Sequence, residues 1–324
     1  MLVASGDSNA VMDDLDDLAH FALVAEHGGF AAAERATAIP KSRLSRRLAL
    51  LEARLGTRLI QRSTRRFAVT PMGEQVLQHA RAMLAEAEAA RALVDEQTRG
   101  PRGTVRLACP PALLQTSVGA LLARFLNAWP QVQLQVQASN RNVDVWQDGV
   151  DLALRVRAPD AALPQDEVVR PLALSPHLLV AAPRLLVNAP PPARPADLAR
   201  LPTLGLGNSP EQQHWRLRGP GGALVEHRHA PRLVVDDVAT LRDAALLGVG
   251  CAVLPRILVH DEMQAGLLQE ILPGWAPPPG LIQAACASRR GLRPVVRQLL
   301  DALAEGFAEL IVQGRCLEPP RPPG

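Results

Sequence analysis

The chain lacks most of what would mark an enzyme, a secreted protein or a metalloprotein. Its four cysteines, Cys109, Cys251, Cys286 and Cys316, stand far apart with no paired spacing, which indicates neither a zinc site nor a disulfide framework. There is no glycine-rich phosphate loop, no HExxH and no GxSxG, so the common signatures of nucleotide, zinc-hydrolase and serine-hydrolase chemistry are missing. Of eight histidines, only His227 and His229 lie close together, with no third ligand in reach by sequence. No signal-peptide core and no apolar run long enough to span a bilayer is present. The expectation is a cytoplasmic protein with no membrane partner, no metal, no cofactor and no catalytic residue. Lysine is almost absent, one against 34 arginines, a bias that reports codon composition rather than function. The formal net charge is only +3.

Acidic residues are scarce in one place above all. Between Arg35 and Arg66 ten basic side chains face a single acid, Glu52. The surplus falls on a short helix expected from Phe30 to Ala36, a turn, and a second, amphipathic helix. Leu44, Leu48, Leu51 and Leu55 recur at steps of four, three and four, which places them on one buried stripe. Ser42, Arg46, Ala49 and Ala53 then point away from the core, with Ser45 beside them and Arg43 on the flank. Cationic and polar groups at a helix N-terminus, with small residues behind them, suit a helix that enters a DNA groove. Pro40 fits the first turn, where its missing N–H is not needed. Leu59 to Arg62 and Phe67 to Val69 read as a small hairpin whose cationic tip places Arg65 and Arg66 on phosphate. The residues expected at DNA are Lys41, Ser42, Arg43, Ser45, Arg46, Arg47, Arg62, Arg65 and Arg66. The bland alternative is a solvated basic helix.

The run LDDLAHFALVAEHGGFAAAERATAIPKSRLSRRLALLEARLGTRLIQRSTRRFAVTPMGE resembles the winged helix–turn–helix of the LysR-type transcriptional regulators. The resemblance rests on the L-S-R-x-[IL]-x-x-L-E-x-x-L-G-x-x-L frame at Leu44 to Leu59 and the T-x-x-G close at Thr70 to Gly73. PKSRLSRR and NRNVDVWQDGVDLALRVR are similar to a CrgA-like subgroup of that family. Ile39-Pro40-Lys41-Ser42 stands where many members carry a hydroxyl residue and a glutamine, and Gly29 replaces the usual Ser or Asn. The resemblance implies double-stranded DNA, a promoter palindrome, as one partner.

Residues 1–11 read as a disordered arm, with Met12 as an alternative start, and 12–70 as the DNA-binding domain. From 71 to 100, Val76, Ala80, Met83, Ala87, Ala90 and Val94 form a heptad seam on a helix roughly 40 Å long at ~1.5 Å per residue. Such a seam needs a partner. Packing on its own domain is one answer; the family resemblance implies a linker through which residues 71–99 form a homodimer or homotetramer.

Residues 101–317 alternate strands and helices. Strands are expected at Thr104 to Ala108, Val132 to Ala138, Asp151 to Val156, Thr203 to Leu206, Arg232 to Val235, Cys251 to Leu254 and Leu281 to Ala287. Helices are expected at Ser117 to Ala128, Val143 to Asp148, Val238 to Leu247 and Pro294 to Leu310. That order argues for α/β layers with parallel sheets. The resemblance implies two subdomains of periplasmic-binding-protein type, 103–178 plus 281–313 and 179–280, with a disordered tail from 318 to 324. The fold class expected is therefore an α+β winged helix–turn–helix, a linker helix and an α/β effector module.

Ligands of open α/β sheets bind beyond the carboxyl ends of strands. With the family's effector cleft carried over, this gives Pro111, Ala112, Leu113, Ser139, Asn140, Arg155, Asn208, Asp237 and Val238 as contacts for a small-molecule effector of unknown identity. Asp237 is equally well placed to cap the helix that follows. Arg155 and Arg157 could clamp an anion or form surface salt bridges. Pro110-Pro111-Ala112 removes a side-chain donor found in some relatives. A cysteine redox switch at Cys109 or Cys251 is the alternative mechanism, although small buried cysteines are normally inert. A solute-binding module without a transcriptional role would leave residues 1–99 without a purpose.

Overall fold

A computed structural model describes residues 7–62, 67–161, 167–187, 191–286 and 292–320, without the side chains of 7–14, 62, 88–99 and 212. The chain divides into two compact units, 1–100 with 288–294, and 101–287 with 295–324.

The N-terminal unit is built from α1 (Asp7–Glu26), α2 (Phe30–Thr37), α3 (Lys41–Leu55), a two-stranded antiparallel ribbon of β1 (Ile60–Arg62) and β2 (Phe67–Val69), and α4 (Pro71–Arg99). Residues 7–11, expected to be structureless, are helical. Once the following residues are helical, each further one adds a backbone hydrogen bond at little cost. Leu44, Leu48 and Leu51 of α3 are buried with Phe21, Val24, Ala33, Leu59 and Leu77. Leu55 is not: it is 47% exposed, because it ends the helix just before Gly56 turns the chain away at φ 65°. Pro40 stands one residue before the first helical turn rather than in it. The T-x-x-G close has a steric and a hydrogen-bonding reason. Thr70 Oγ1 accepts from Gly73 N (2.9 Å) and donates to the Arg58 carbonyl (2.8 Å). A Cβ on Gly73 would lie 2.1 Å from the Leu59 carbonyl oxygen.

The first half of α4 belongs to this core. Leu77 and Ala80 are buried in it, and Val76 and Leu84 pack against it. Two positions of the heptad seam, Val76 and Ala80, are therefore covered by their own domain, as the alternative reading allowed. Ala87 is exposed.

The second unit opens with β3 (Gly103–Cys109), α5 (Pro111–Leu113), a π-helical turn over Leu114–Val118 and α6 (Gly119–Ala128). β4 (Val132–Ala138), β5 (Leu152–Arg157) and β6 (Val168–Ser175) follow. With the late strand β14 (Gly280–Cys286) they form a five-stranded sheet in the order β4-β3-β5-β14-β6. β4, β3 and β5 are parallel, but β14 runs antiparallel to both its neighbours. The sheet is thus mixed, not parallel, because the chain returns to it from the second subdomain. Val143 to Asp148 is a turn rather than a helix. The Asp144 carboxylate accepts from Trp146 N and Gln147 N, both at 2.9 Å, and so competes with helical pairing.

The second subdomain contains β7 (His177–Ala181), β8 (Leu204–Leu206), the hairpin β9 (His214–Arg218) and β10 (Leu224–Arg228), β11 (Leu233–Val235), α7 (Val238–Leu246), β12 (Ala252–Pro255), α8 (Arg256–Gln264) and β13 (Gln269–Glu270). β12-β7-β13 is antiparallel and β11-β8 parallel, with a bridge between Thr203 and Cys251 joining them. The chain leaves the first sheet at Ser175 and enters the second at His177, with Pro176 between. After β14, α9 (Pro294–Val312) closes the fold, and Leu317 bonds back to Leu174.

Candidate functional site

On α3 the inner and outer faces use their arginines differently. Lys41, Ser42, Arg43, Ser45 and Arg46 are all exposed, and no ion pair involves Lys41, Arg43 or Arg46 among the described residues. Arg47 points inward and is ion-paired with Asp17, and Arg54 binds the other carboxylate oxygen of the same residue. Asp17 is fully buried on α1. Arg47, expected at DNA, is therefore a fastener between α1 and α3. Arg62 lies on β1 with its side chain outside the described residues, and Arg65 and Arg66 lie outside them entirely.

Two acids that sequence reasoning passed over complete this surface. Glu52 accepts from Leu59 N (2.8 Å) and Ile60 N (3.1 Å), which ties the start of the ribbon to α3. Glu34 accepts from Lys41 N (2.9 Å), occupying one of the free amides at the start of α3. An acid isolated in a strongly basic stretch was the available signal, since the structure turns each of them to a backbone partner. Among the described residues no carboxylate is ion-paired with Lys41, Arg43 or Arg46, which leaves those charges available to phosphate.

The second unit encloses a cavity of about 490 Å³ between its two subdomains. Of the residues expected to contact an effector, Ala112, Leu113, Asn140, Arg155 and Val238 line it. Pro111, Ser139, Asn208 and Asp237 do not; Pro110 takes the place of Pro111. Ser139 Oγ accepts from Arg141 N (3.2 Å) within its own loop, and Asn208 is exposed. Asp237 caps α7, its carboxylate accepting from Thr240 N (2.8 Å) and Thr240 Oγ1 (2.7 Å). Those bonds hold its pKa below the usual carboxylate value. Asn140 Nδ2 donates to the Asp236 carbonyl (3.3 Å), a link across the two subdomains.

Arg155 lines the cavity and does not sit on the surface. It is 6% exposed, pairs with both oxygens of Glu167, the second at 2.7 Å, and donates to the Val143 carbonyl. Arg157, expected either to clamp an anion or to form a surface salt bridge, also lines it, and the residues that reasoning from strand ends missed are Thr116, Arg141, Asn142, Leu154, Val156, Ser175, His177, Leu206, Pro255, Ile257 and Leu258. Several follow from β6 and β7, which Pro171 and Pro176 hide from a pattern search.

All four cysteines are free and buried. Burial pushes the thiols of Cys109 and Cys251 up to about 12 and that of Cys316 up to about 11. Thiols held protonated are poor nucleophiles and poor redox sensors. No helix among the described residues is long and apolar enough to cross a membrane.

A basic helix set on a small helical core, followed by a long helix and an α/β module with an enclosed cleft, defines a ligand-responsive DNA-binding protein. Residues 15–74 match the bacterial regulatory helix-turn-helix proteins of the lysR family, and residues 98–308 match the LysR substrate binding domain. The chain belongs to the LysR family of transcriptional regulators. It is 33% identical over 294 residues to the HTH-type transcriptional regulator PtxR of Pseudomonas aeruginosa, covering 90% of this chain and 92% of the relative. An HTH-type transcriptional regulator of Xanthomonas campestris is 32% identical over 295 residues, covering 90% and 84%. The fold is shared with CrgA, a LysR-type transcriptional regulator from Neisseria meningitidis, at TM-score 0.58 and 24% identity over 90% of this chain and 98% of that one. The chain is thus a transcriptional regulator with a DNA-binding domain and an effector-binding domain, and the relatives do not favour the redox alternative.

Proposed function

We propose that this regulator works as a non-enzymatic homodimer or homotetramer that reads a promoter palindrome with the outer face of α3. Ser42, Arg43, Ser45 and Arg46 meet base edges and Lys41 the backbone, while a small molecule in the cleft biases how two DNA-binding domains are presented. The observation that carries this is the division of α3 into a buried leucine stripe and an exposed, unpaired cationic face at its N-terminal half. Electrostatics attracts any duplex, and groove contacts select one. A ligand shifts an equilibrium only by its differential affinity for the two states, and a cleft between two subdomains supplies such a difference if its walls close on the ligand. Copies would meet along residues 71–99. Because Val76 and Ala80 are already covered, the seam open to a partner begins near Met83 and Ala87.

Binding to cognate and scrambled duplexes over a salt series tests the DNA reading. Specific binding should exceed non-specific binding by at least about 10³. Equal affinity for both duplexes at every salt concentration would refute base reading by α3.

A further inference from the structure

We infer that the cleft takes a singly charged organic acid with an apolar body, its anionic group paired with Arg157 and a ligand oxygen hydrogen-bonded to Ser175. This rests on the cleft being the effector site, as proposed above.

The charge balance of the lining carries the argument. Three arginines, Arg141, Arg155 and Arg157, line the cavity, and among the described residues no Asp or Glu does. Arg141 is matched by Asp148 at 2.6 Å, and Arg155 by Glu167. Arg157 has no such match: its Nη1 is buried and without a hydrogen-bond partner among the described residues. A guanidinium nitrogen withdrawn from water without a hydrogen-bond partner destabilises the empty protein, and an arriving carboxylate relieves it. Arg155 Nε and the Ser175 hydroxyl are likewise buried and without a hydrogen-bond partner among the described residues, and Ser175 is 2% exposed. His177 adds no charge near neutrality. Its Nδ1 lies 2.8 Å from the Pro278 carbonyl oxygen, and burial lowers its pKa. One positive charge is thus unbalanced, which suits one negative charge on the ligand.

The opposite wall sets the rest of the ligand. Leu206, Val238, Pro255, Ile257 and Leu258 come from the second subdomain and are apolar. The charged groups all come from the first subdomain, and the rest of the lining is largely apolar, which calls for an amphiphilic molecule. The volume is in the ordinary range for small-molecule sites, roughly 300–1,000 Å³.

The test uses the full chain with benzoate, phenylacetate and hexanoate as probes, benzamide and phenylacetamide as uncharged counterparts, and phthalate as a dianion. Melting temperature and calorimetric affinity are read for wild type, Arg157→Met, Arg157→Lys, Ser175→Ala and the cavity-filling Ala112→Phe. At least one monocarboxylate should bind about tenfold or more tighter than its amide, as loss of a charge-assisted hydrogen bond implies. Phthalate should gain nothing from its second charge. Arg157→Met should abolish the preference for acid while raising the melting temperature of the empty protein; Arg157→Lys should keep part of the preference, and Ser175→Ala should weaken acid binding. A lowered melting temperature of empty Arg157→Met, with Arg157→Lys restoring it, would make Arg157 a structural residue and overturn the inference. If amides bind as well as acids and Ala112→Phe blocks both, the cleft reading stands and the charge assignment falls. If acids bind undiminished in Ala112→Phe and Arg157→Met, the cleft reading falls with it. No binding by any probe also counts against the inference.

Discussion

The two units handle an excess of arginine in opposite ways. In the N-terminal unit the carboxylates nearest α3 are engaged away from Arg43 and Arg46. Asp17 takes Arg47 and Arg54, Glu34 and Glu52 are turned to backbone amides, and Arg43 and Arg46 are left facing solvent. In the α/β unit the counter-charge lies around a cavity, and Glu167 and Asp148 neutralise all but one of the arginines lining it. A solvated, unpaired cation costs little and is free to exchange counterions with phosphate. A buried, unpaired one is costly and selects a specific small anion. The position of the carboxylates, more than the number of arginines, separates a DNA surface from a ligand site.

The largest expected effect concerns the N-terminal unit's own outer surface. Ala87 is exposed on α4, so Ala87→Arg should leave the fold intact while placing like charges against each other where two copies meet. Light scattering should show loss of the dimer, and affinity for a full palindrome should fall to that for a half-site. An unchanged mass would move the interface off the linker helix.

Asp17→Ala comes next. It removes the buried carboxylate that Arg47 and Arg54 share and should cost about 2–3 kcal/mol by urea unfolding, less than the ~3–5 kcal/mol for a fully enclosed pair. The discount reflects side chains 27% and 38% exposed. A loss under about 0.5 kcal/mol, the range of a neutral surface change, would show that the inner arginines are no fastener.

Arg46→Ala and Arg47→Ala then separate the two faces of one helix. Arg46→Ala should lose about 1–3 kcal/mol on the cognate duplex and relax selection at one or two positions. Arg47→Ala should act mainly on stability. If Arg46→Ala weakens cognate and scrambled duplexes equally, Arg46 touches only phosphate.

The smallest effect tests charge exclusion in the α/β unit. The His229 ring lies tilted against Trp215 with centroids 4.1 Å apart, and its Nδ1 is 2.7 Å from the Thr203 hydroxyl. Burial, with repulsion from His227 and His214, lowers its pKa to about 4, and burial lowers that of His227. His229 stays neutral in the folded protein down to about pH 4, while in the unfolded chain it takes up a proton near pH 6.5. Its contribution is therefore whole above about pH 6.5 and is lost as the pH falls toward 4, and His227 acts in the same direction. Urea midpoints at pH 7.5, 6 and 5 should decline, and His229→Gln should flatten the decline. Parallel pH profiles for variant and wild type would place the loss elsewhere.

Much of the N-terminal unit could be read in advance because a helix repeats. The leucines at 44, 48 and 51 and the polar set at 42, 43, 45 and 46 fall on opposite sides of one cylinder, whatever it packs against. The same periodicity says nothing about length of cover, and Leu55, at the end of the stripe, is exposed. Nor does it reveal that Arg47, one step from Arg46, is drawn inward by an aspartate thirty positions earlier. The core strands of the α/β unit were legible as short apolar runs, whereas β6 and β7 were masked by prolines.

Sequence by itself determined the family, the basic helix, the long linker and the alternation of strands and helices, since these rest on spacing within one segment. Only the tertiary structure decided which charges are free. Glu167 reaches Arg155, Asp17 reaches Arg47 and Arg54, and among the described residues no carboxylate lines the cavity beside Arg157. Whether an arginine holds the fold or awaits a partner depends on what lies within a few ångströms of its guanidinium, and that neighbour comes from another segment of the chain.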